Sequence, residues 1–160
     1  KIFNLDFIIS AYQKYILNGG SSKIVLTGRA ESRYEKKYLD NLKQQVNRLQ
    51  LNNYVSFFEN PDNDKLKSLI QEARTFICAQ NADFTLTICE MYLQHLNIIV
   101  PVSNAWVSNY HHDGVLTYTN LDTLSGCMGF KPSIANLDYK KLSKYTYRKY
   151  YETIYKIINE

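Results

Sequence analysis

The stretch Thr75 to Pro101 reads TFICAQNADFTLTICEMYLQHLNIIVP. Thr75-Phe76-Ile77-Cys78 is an apolar, β-branched run of strand length, and Gln80-Asn81-Ala82-Asp83 is a polar bend. A helical pattern follows from Thr85 to His95, Asn97 ends it, and Ile98-Ile99-Val100 is a second buried strand. Strand, turn, helix and strand in this order form a right-handed parallel crossover, so the turn lies at the carboxyl edge of a sheet, where ligands bind. The backbone N–H groups of Thr85, Leu86 and Thr87 open the helix and carry positive partial charge, which suits a phosphate. Glu90, one turn further in, lies between Ile88, Cys89 and Met91, where an ionised carboxylate is costly unless paired. Its partner is either a ligand hydroxyl beside that anion or a structural cation.

Outward from this unit, strands and helices keep alternating. Asn4 to Leu17 reads as an amphipathic helix capped by Asn4 and stopped by Gly19-Gly20. Lys23 to Thr27 is a strand leaving through Gly28-Arg29, either a close backbone approach to a ligand or a bare turn. Glu31 to Leu49 is a long charged helix with an apolar stripe at Tyr34, Tyr38, Leu42, Val46 and Leu49. Tyr54 to Phe58 is the next strand, broken by Glu59-Asn60-Pro61-Asp62-Asn63 before a helix from Asp64 to Glu72. Asp62 and Asp64 are read as helix-start residues in preference to a Mg²⁺ or Mn²⁺ pair.

Beyond the central unit, Ser103 to His112 is read as a polar and aromatic connection with room for one helical turn, containing Trp106 and the His111-His112 pair. Asp113-Gly114 is a turn and Val115 to Tyr118 a short strand. Leu121 to Met128 is helical, ended by Gly129-Phe130-Lys131-Pro132, and Leu137 to Ile158 forms one or two further helices. His95 closes its helix, where a cation favours the dipole. The pattern is an α/β doubly wound parallel domain.

At 160 residues, nearly half apolar, the chain supports one domain with a full-sized core. It opens in mid-pattern and is read as part of a longer protein. The formal charge of +4 is modest and its lysines are dispersed, which argues against nucleic acid. No run has the length of a membrane span. Three cysteines, Cys78, Cys89 and Cys127, have no metal-like spacing and are expected as free thiols in the cytoplasm. Neither a phosphate-cradling Gly-x-x-x-x-Gly-Lys-Ser/Thr loop, nor Gly-x-Gly-x-x-Gly, nor a Gly-x-Ser-x-Gly elbow occurs.

In its order of elements, almost the whole chain resembles the carboxyl-terminal, nucleotide-sugar-binding domain of retaining GT-B glycosyltransferases, the family that includes sucrose synthase and many capsule and lipopolysaccharide transferases. Residues Asn4 to Tyr12 resemble the family's first helix, Ile24-Val25-Leu26-Thr27-Gly28 its "V-I-x-G" strand, and Val55-Ser56-Phe57 its "V-x-F-x-G" strand. Ala73 to Ala79 resembles the strand before the sugar site. Phe84-Thr85-Leu86 with Glu90 resembles "E-x-F-G-L-x-x-x-E", Val100-Pro101-Val102 resembles "P-V-I", and Asp113 to Leu116 resembles "D-G-x-x-G-x-L".

The resemblance implies a Rossmann-like half of a GT-B enzyme that needs no cofactor or metal. It implies that the amides of Thr85, Leu86 and Thr87 hold the diphosphate, that Glu90 binds the ribose, and that Gly28, Arg29, Glu59, Asn60 and Phe84 line the nucleotide-sugar site. Ala82 stands where the family has its sugar-contacting Glu, and adjacent Asp83 is its candidate catalytic replacement. Thr85 stands for the motif's Gly, Glu59 for the glycine after "V-x-F", and Phe3 for an expected Lys. The implied partners are a UDP-linked sugar, a saccharide, lipid or protein acceptor, and an amino-terminal GT-B domain, with peripheral membrane contact of the full-length protein; the strand carrying the family's Gly-Arg phosphate contact is expected ahead of Lys1. The same departures leave open a catalytically inert scaffold or partner subunit, and a GT-B-type epimerase is a third class.

Overall fold

The computed structural model describes residues 4–79, 86–104 and 114–130. Elements run in the order α1 (Leu5–Leu17), β1 (Ile24–Gly28), α2 (Arg33–Arg48), β2 (Val55–Glu59), α3 (Asn63–Glu72), β3 (Thr75–Ile77), α4 (Leu86–Leu93), β4 (Asn97–Pro101), β5 (Val115–Tyr118) and α5 (Leu121–Gly129). The α/β alternation read from the sequence holds from α1 to β4 and again from β5 to α5, while residues 105–113, between β4 and β5, lie outside the described part. Every strand pairing is parallel, but the strands fall into two sheets, β1-β2 and β3-β4-β5. The expected helix within 137–158 and the turn of helix within 103–112 fall wholly or mainly outside the described residues, as do Trp106, His111 and His112.

Helix α1 joins the sheets. Its Ile9 and Tyr12 are buried with Leu26 of β1, Val55 of β2, and Leu42 and Val46 of α2. Its Ile8 and Ala11 are buried with Ile99 of β4, Tyr118 of β5 and Leu124 of α5. On the opposite face of the three-stranded sheet, Ile88 and Met91 of α4 pack on Cys78, Ile98 and Val100, with Ile70 of α3 alongside. Alternation along β4 explains the division, because Ile98 and Val100 face one layer and Ile99 the other.

Local chemistry sets the helix ends. Ser32 and Glu35 form a reciprocal capping box that starts α2, two residues later than expected. Asp62 accepts from the Lys65 N–H at 2.7 Å and caps α3, in agreement with the helix-start reading. Asn4 occupies the N-cap position of α1 without a side-chain cap bond. The Leu5 N–H donates instead to the Tyr38 hydroxyl of α2 (3.1 Å), so a tertiary contact takes over a local one. Tyr34, assigned to the apolar stripe of α2, is 71% exposed, because it lies in the first turn beyond the reach of α1.

Gly19 takes a left-handed backbone (φ 89°), and the Gly20 N–H donates to the Tyr15 carbonyl at 3.0 Å, closing α1. A Cβ on Gly20 would lie 2.3 Å from the Tyr15 ring, which packs on the α1-α2 core and hydrogen bonds to Ser22 Oγ at 3.1 Å. Gly20→Ala should therefore lower stability by about 1–3 kcal/mol in denaturant unfolding, as expected when an added methyl displaces a packed ring. An Ala at this position with unchanged midpoint would mean that the ring moves freely.

Candidate functional site

The residues proposed from the sequence fall in two places. Gly28 and Glu59 are register partners at the carboxyl ends of β1 and β2, so Gly28, Arg29, Glu59 and Asn60 are brought together on one sheet edge. Asn60 is the residue that ties this edge. Its backbone is left-handed (φ 49°), a conformation Asn tolerates better than most side chains. Its N–H donates to the Gly28 carbonyl at 2.9 Å, and its Oδ1 accepts from the Ala30 N–H at 3.1 Å. The carboxamide oxygen of this candidate site residue is thus engaged with backbone.

Around this staple, Glu59 lies 3.9 Å from Lys43 of α2, with both side chains about half exposed, so the pair contributes little to stability. Lys65 of α3 sits 4.6 Å from the centroid of the Phe58 ring. Arg29 is exposed. Beside Gly28 there is open space, since a Cβ there would meet nothing within 4 Å. Among the described residues, packing does not require a glycine at that position.

The second place is α4. Its first N–H groups, at Leu86 and Thr87, lack intrahelical partners by construction. Thr87 and Glu90 are both exposed, while Ile88 and Met91 between and beyond them are buried. Spacing of three puts Thr87 and Glu90 on one face. This corrects the premise that apolar neighbours desolvate Glu90: Ile88 and Met91 are close in sequence, but they are buried while Glu90 is exposed. His95 stands at the helix end, where the sequence reading put it. It adopts φ 66° and lets the Leu96 N–H reach the Met91 carbonyl at 3.1 Å, so backbone conformation is what ends the helix. Asp83, Phe84 and Thr85, with Ala82, lie outside the described residues, and so do the side chain of Leu86 and that of Cys89.

A contact that the sequence reading missed lies where the chain leaves β3. The Tyr118 hydroxyl donates to the Cys78 carbonyl at 3.1 Å in a buried setting. Burial, with Cys78 close by, pushes the phenol up to about 12, so it remains a donor at ordinary pH. The available signal was Pro101, a residue that removes a backbone donor from a buried strand. Among the described residues no cluster of three or more metal-ligating side chains forms, and no helix is long and apolar enough to cross a membrane.

No protein-family model matches the chain, and no curated protein sequence matches it. Solved structures do match. The chain superposes on Anabaena HepE in complex with UDP and glucose with a TM-score of 0.63 at 17% identity, covering 79% of this chain and 34% of that one. The complex of HepE with UDP-glucose gives 0.63 at 19% identity, over 79% and 35% of the respective chains. The two share a fold. That fold is α/β and Rossmann-like, and this chain spans about a third of the length of HepE.

The staple yields a direct expectation. Asn60→Ala should cost about 1–3 kcal/mol, because it leaves the Ala30 N–H unpaired and forces Ala into a left-handed backbone. Asn60→Asp, which keeps an acceptor, should cost clearly less. Equal losses for the two substitutions, measured by thermal unfolding, would remove the side-chain bond from the account.

Proposed function

We propose that this chain is the donor-binding domain of a glycosyltransferase, one that binds a nucleotide diphosphate sugar, UDP-linked, for transfer to a saccharide, lipid or protein acceptor. The observation that carries the reading is the shared fold with HepE, whose structures contain UDP and UDP-glucose, together with an α4 amino terminus that follows a parallel strand. In this reading the α4 amides and Arg29 stabilise the leaving diphosphate without a dedicated metal, Thr87 and Glu90 present one exposed polar face to the nucleotide, and Glu90 accepts from the ribose. Asp83 contacts the donor sugar in place of the residue absent at Ala82. The protein is read as cytoplasmic, working in polysaccharide synthesis, with any membrane contact peripheral.

The domain is read as completed by a strand that precedes Asn4 and inserts between β1 and β3. Several observations support this. Among the described residues β1 pairs only with β2, and β3 only with β4, so each sheet has an open edge. Ile24 of β1 and Ile77 of β3 pack against the same buried group beneath α1. Val25, in the middle of β1, is 42% exposed, and α3 buries no residue despite its apolar positions Leu66, Leu69 and Ile70. A strand in this slot, followed by α1 and β1, makes an ordinary right-handed crossover.

Calorimetry with UDP, GDP and ADP tests both parts. UDP should bind the 160-residue chain weakly and a chain extended ahead of Lys1 at least about tenfold more tightly, since the extension preorganises the cleft. Glu90→Gln should weaken UDP binding about tenfold or more, as expected for a charged hydrogen bond, with little change in unfolding midpoint. No binding of any nucleotide by the extended chain would refute the reading.

The inert-scaffold reading rests on Ala82. If Asp83 has taken over the sugar contact, Asp83→Asn should cut transfer by about ten- to a hundredfold with UDP affinity nearly unchanged, a loss confined to the transition state. A wild-type protein with neither transfer nor donor hydrolysis, and an Ala82→Glu variant that gains either, would establish the scaffold instead.

A further inference from the structure

Pro101 ends β4, the central strand of its sheet, and alters the hydrogen bonding of β3. In the parallel ladder between these strands the Asn97 N–H donates to the Arg74 carbonyl (2.9 Å) and the Cys78 N–H donates to the Ile99 carbonyl (2.8 Å). Donors from β4 therefore fall at every second residue, and the Cys78 carbonyl is due a bond from the N–H of residue 101. Proline has none. Tyr118 is the register partner of Pro101 across the β4-β5 pairing, and its hydroxyl supplies the bond to Cys78 instead. The ring is held in place by Phe7 of α1, stacked on it with centroids 6.0 Å apart.

We propose that Tyr118 is a positioning residue for the nucleotide-sugar site: its hydroxyl replaces the ladder donor that Pro101 lacks and fixes the point at which the chain leaves β3 for the amino terminus of α4. The proposal rests on the nucleotide-sugar reading above. Cys78 and Ala79 are both buried and stand directly before the segment that leads to Leu86. Loss of the Tyr118 bond at that point would loosen the hold on the strand end. A second tyrosine provides the comparison. The Tyr12 hydroxyl donates to the Ser22 carbonyl, and burial likewise pushes it up to about 12, but it ties the segments that lead into β1 and β2 at their amino ends. Tyr12 is thus a structural anchor of similar chemistry, remote from the chain leaving β3.

The test compares Tyr118→Phe with Tyr12→Phe in the full chain. Tyr118→Phe keeps the ring and its stack on Phe7, and should weaken UDP binding about three- to tenfold, the range of one hydrogen bond. Tyr12→Phe should lower the unfolding midpoint and leave UDP affinity within twofold of wild type, roughly the scatter expected at a site independent of the ligand. Hydrogen exchange, which does not depend on the nucleotide, should accelerate around Cys78 and Ala79 in Tyr118→Phe and around Ser22 and Tyr54 in Tyr12→Phe. Adding Pro101→Ala to Tyr118→Phe returns an N–H to the ladder and should restore both protection and affinity. Unchanged exchange at the end of β3, equal loss of UDP affinity in the two single variants, or no recovery in the double variant would each overturn the proposal. If wild-type protein fails to bind UDP, the nucleotide-sugar reading falls and the positioning role with it, while exchange still reports whether the bond holds the strand end.

Discussion

The fold depends on the burial of two consecutive residues of α1 in two different places. Ile8 lies against the three-stranded sheet and α5, Ile9 against the two-stranded sheet and α2, and both are fully buried. Each such side chain is worth about 1.5–3 kcal/mol of hydrophobic transfer, a large share of a net stability of about 5–15 kcal/mol. A helix can do this because successive side chains diverge by about 100° around its axis, so Ile8 and Ala11 form one stripe and Ile9 and Tyr12 the next. Leu5, Ile24 and Met128 touch both buried groups and make them one continuous core.

Polar contacts then orient what that burial holds together. Gln45 of α2 donates to the Asp6 carbonyl and to Ser10 Oγ of α1, each at 3.0 Å, while Tyr38 bonds both the Leu5 N–H and Asp6 Oδ1. These bonds set the angle between α1 and α2, and apolar packing alone would leave that angle loose. At the ends of the strands, single side chains do the comparable work: Asn60 for the turns leaving β1 and β2, Tyr118 for the chain leaving β3. Both satisfy backbone groups that regular sheet pairing leaves over, and both do so beside the edge where a ligand is read to bind. Structural order and the proposed site therefore draw on the same residues.

Much of the fold was legible in the sequence. Period-two apolar runs and helical stripes located all five strands and the described helices, with ends displaced by one to a few residues, because such patterns report burial and burial here is dictated by the alternation of layers. The helix start at Asp62 was legible in kind, since capping is a local exchange of hydrogen bonds within three residues, whereas the Ser32 cap of α2 was not picked out. The site was legible only as a set of candidates. Residues 82–85 fall outside the described part, and the pairing of Gly28 with Glu59 needed a register that no local pattern encodes.

What the sequence by itself determined is the succession of elements, the parallel character that such a succession imposes, and which stripes are apolar. Tertiary structure alone decided that the strands form two sheets joined by α1, that Glu90 faces solvent, that Asn4 yields its capping role to Tyr38, and that Tyr118 stands in for the donor missing at Pro101. The physical reason is range. Propensity, periodicity and capping act between residues a few positions apart, whereas these four outcomes depend on groups 33 and 40 positions apart, as in the Leu5–Tyr38 and Cys78–Tyr118 bonds, or on the direction in which a helix turns its faces once packed.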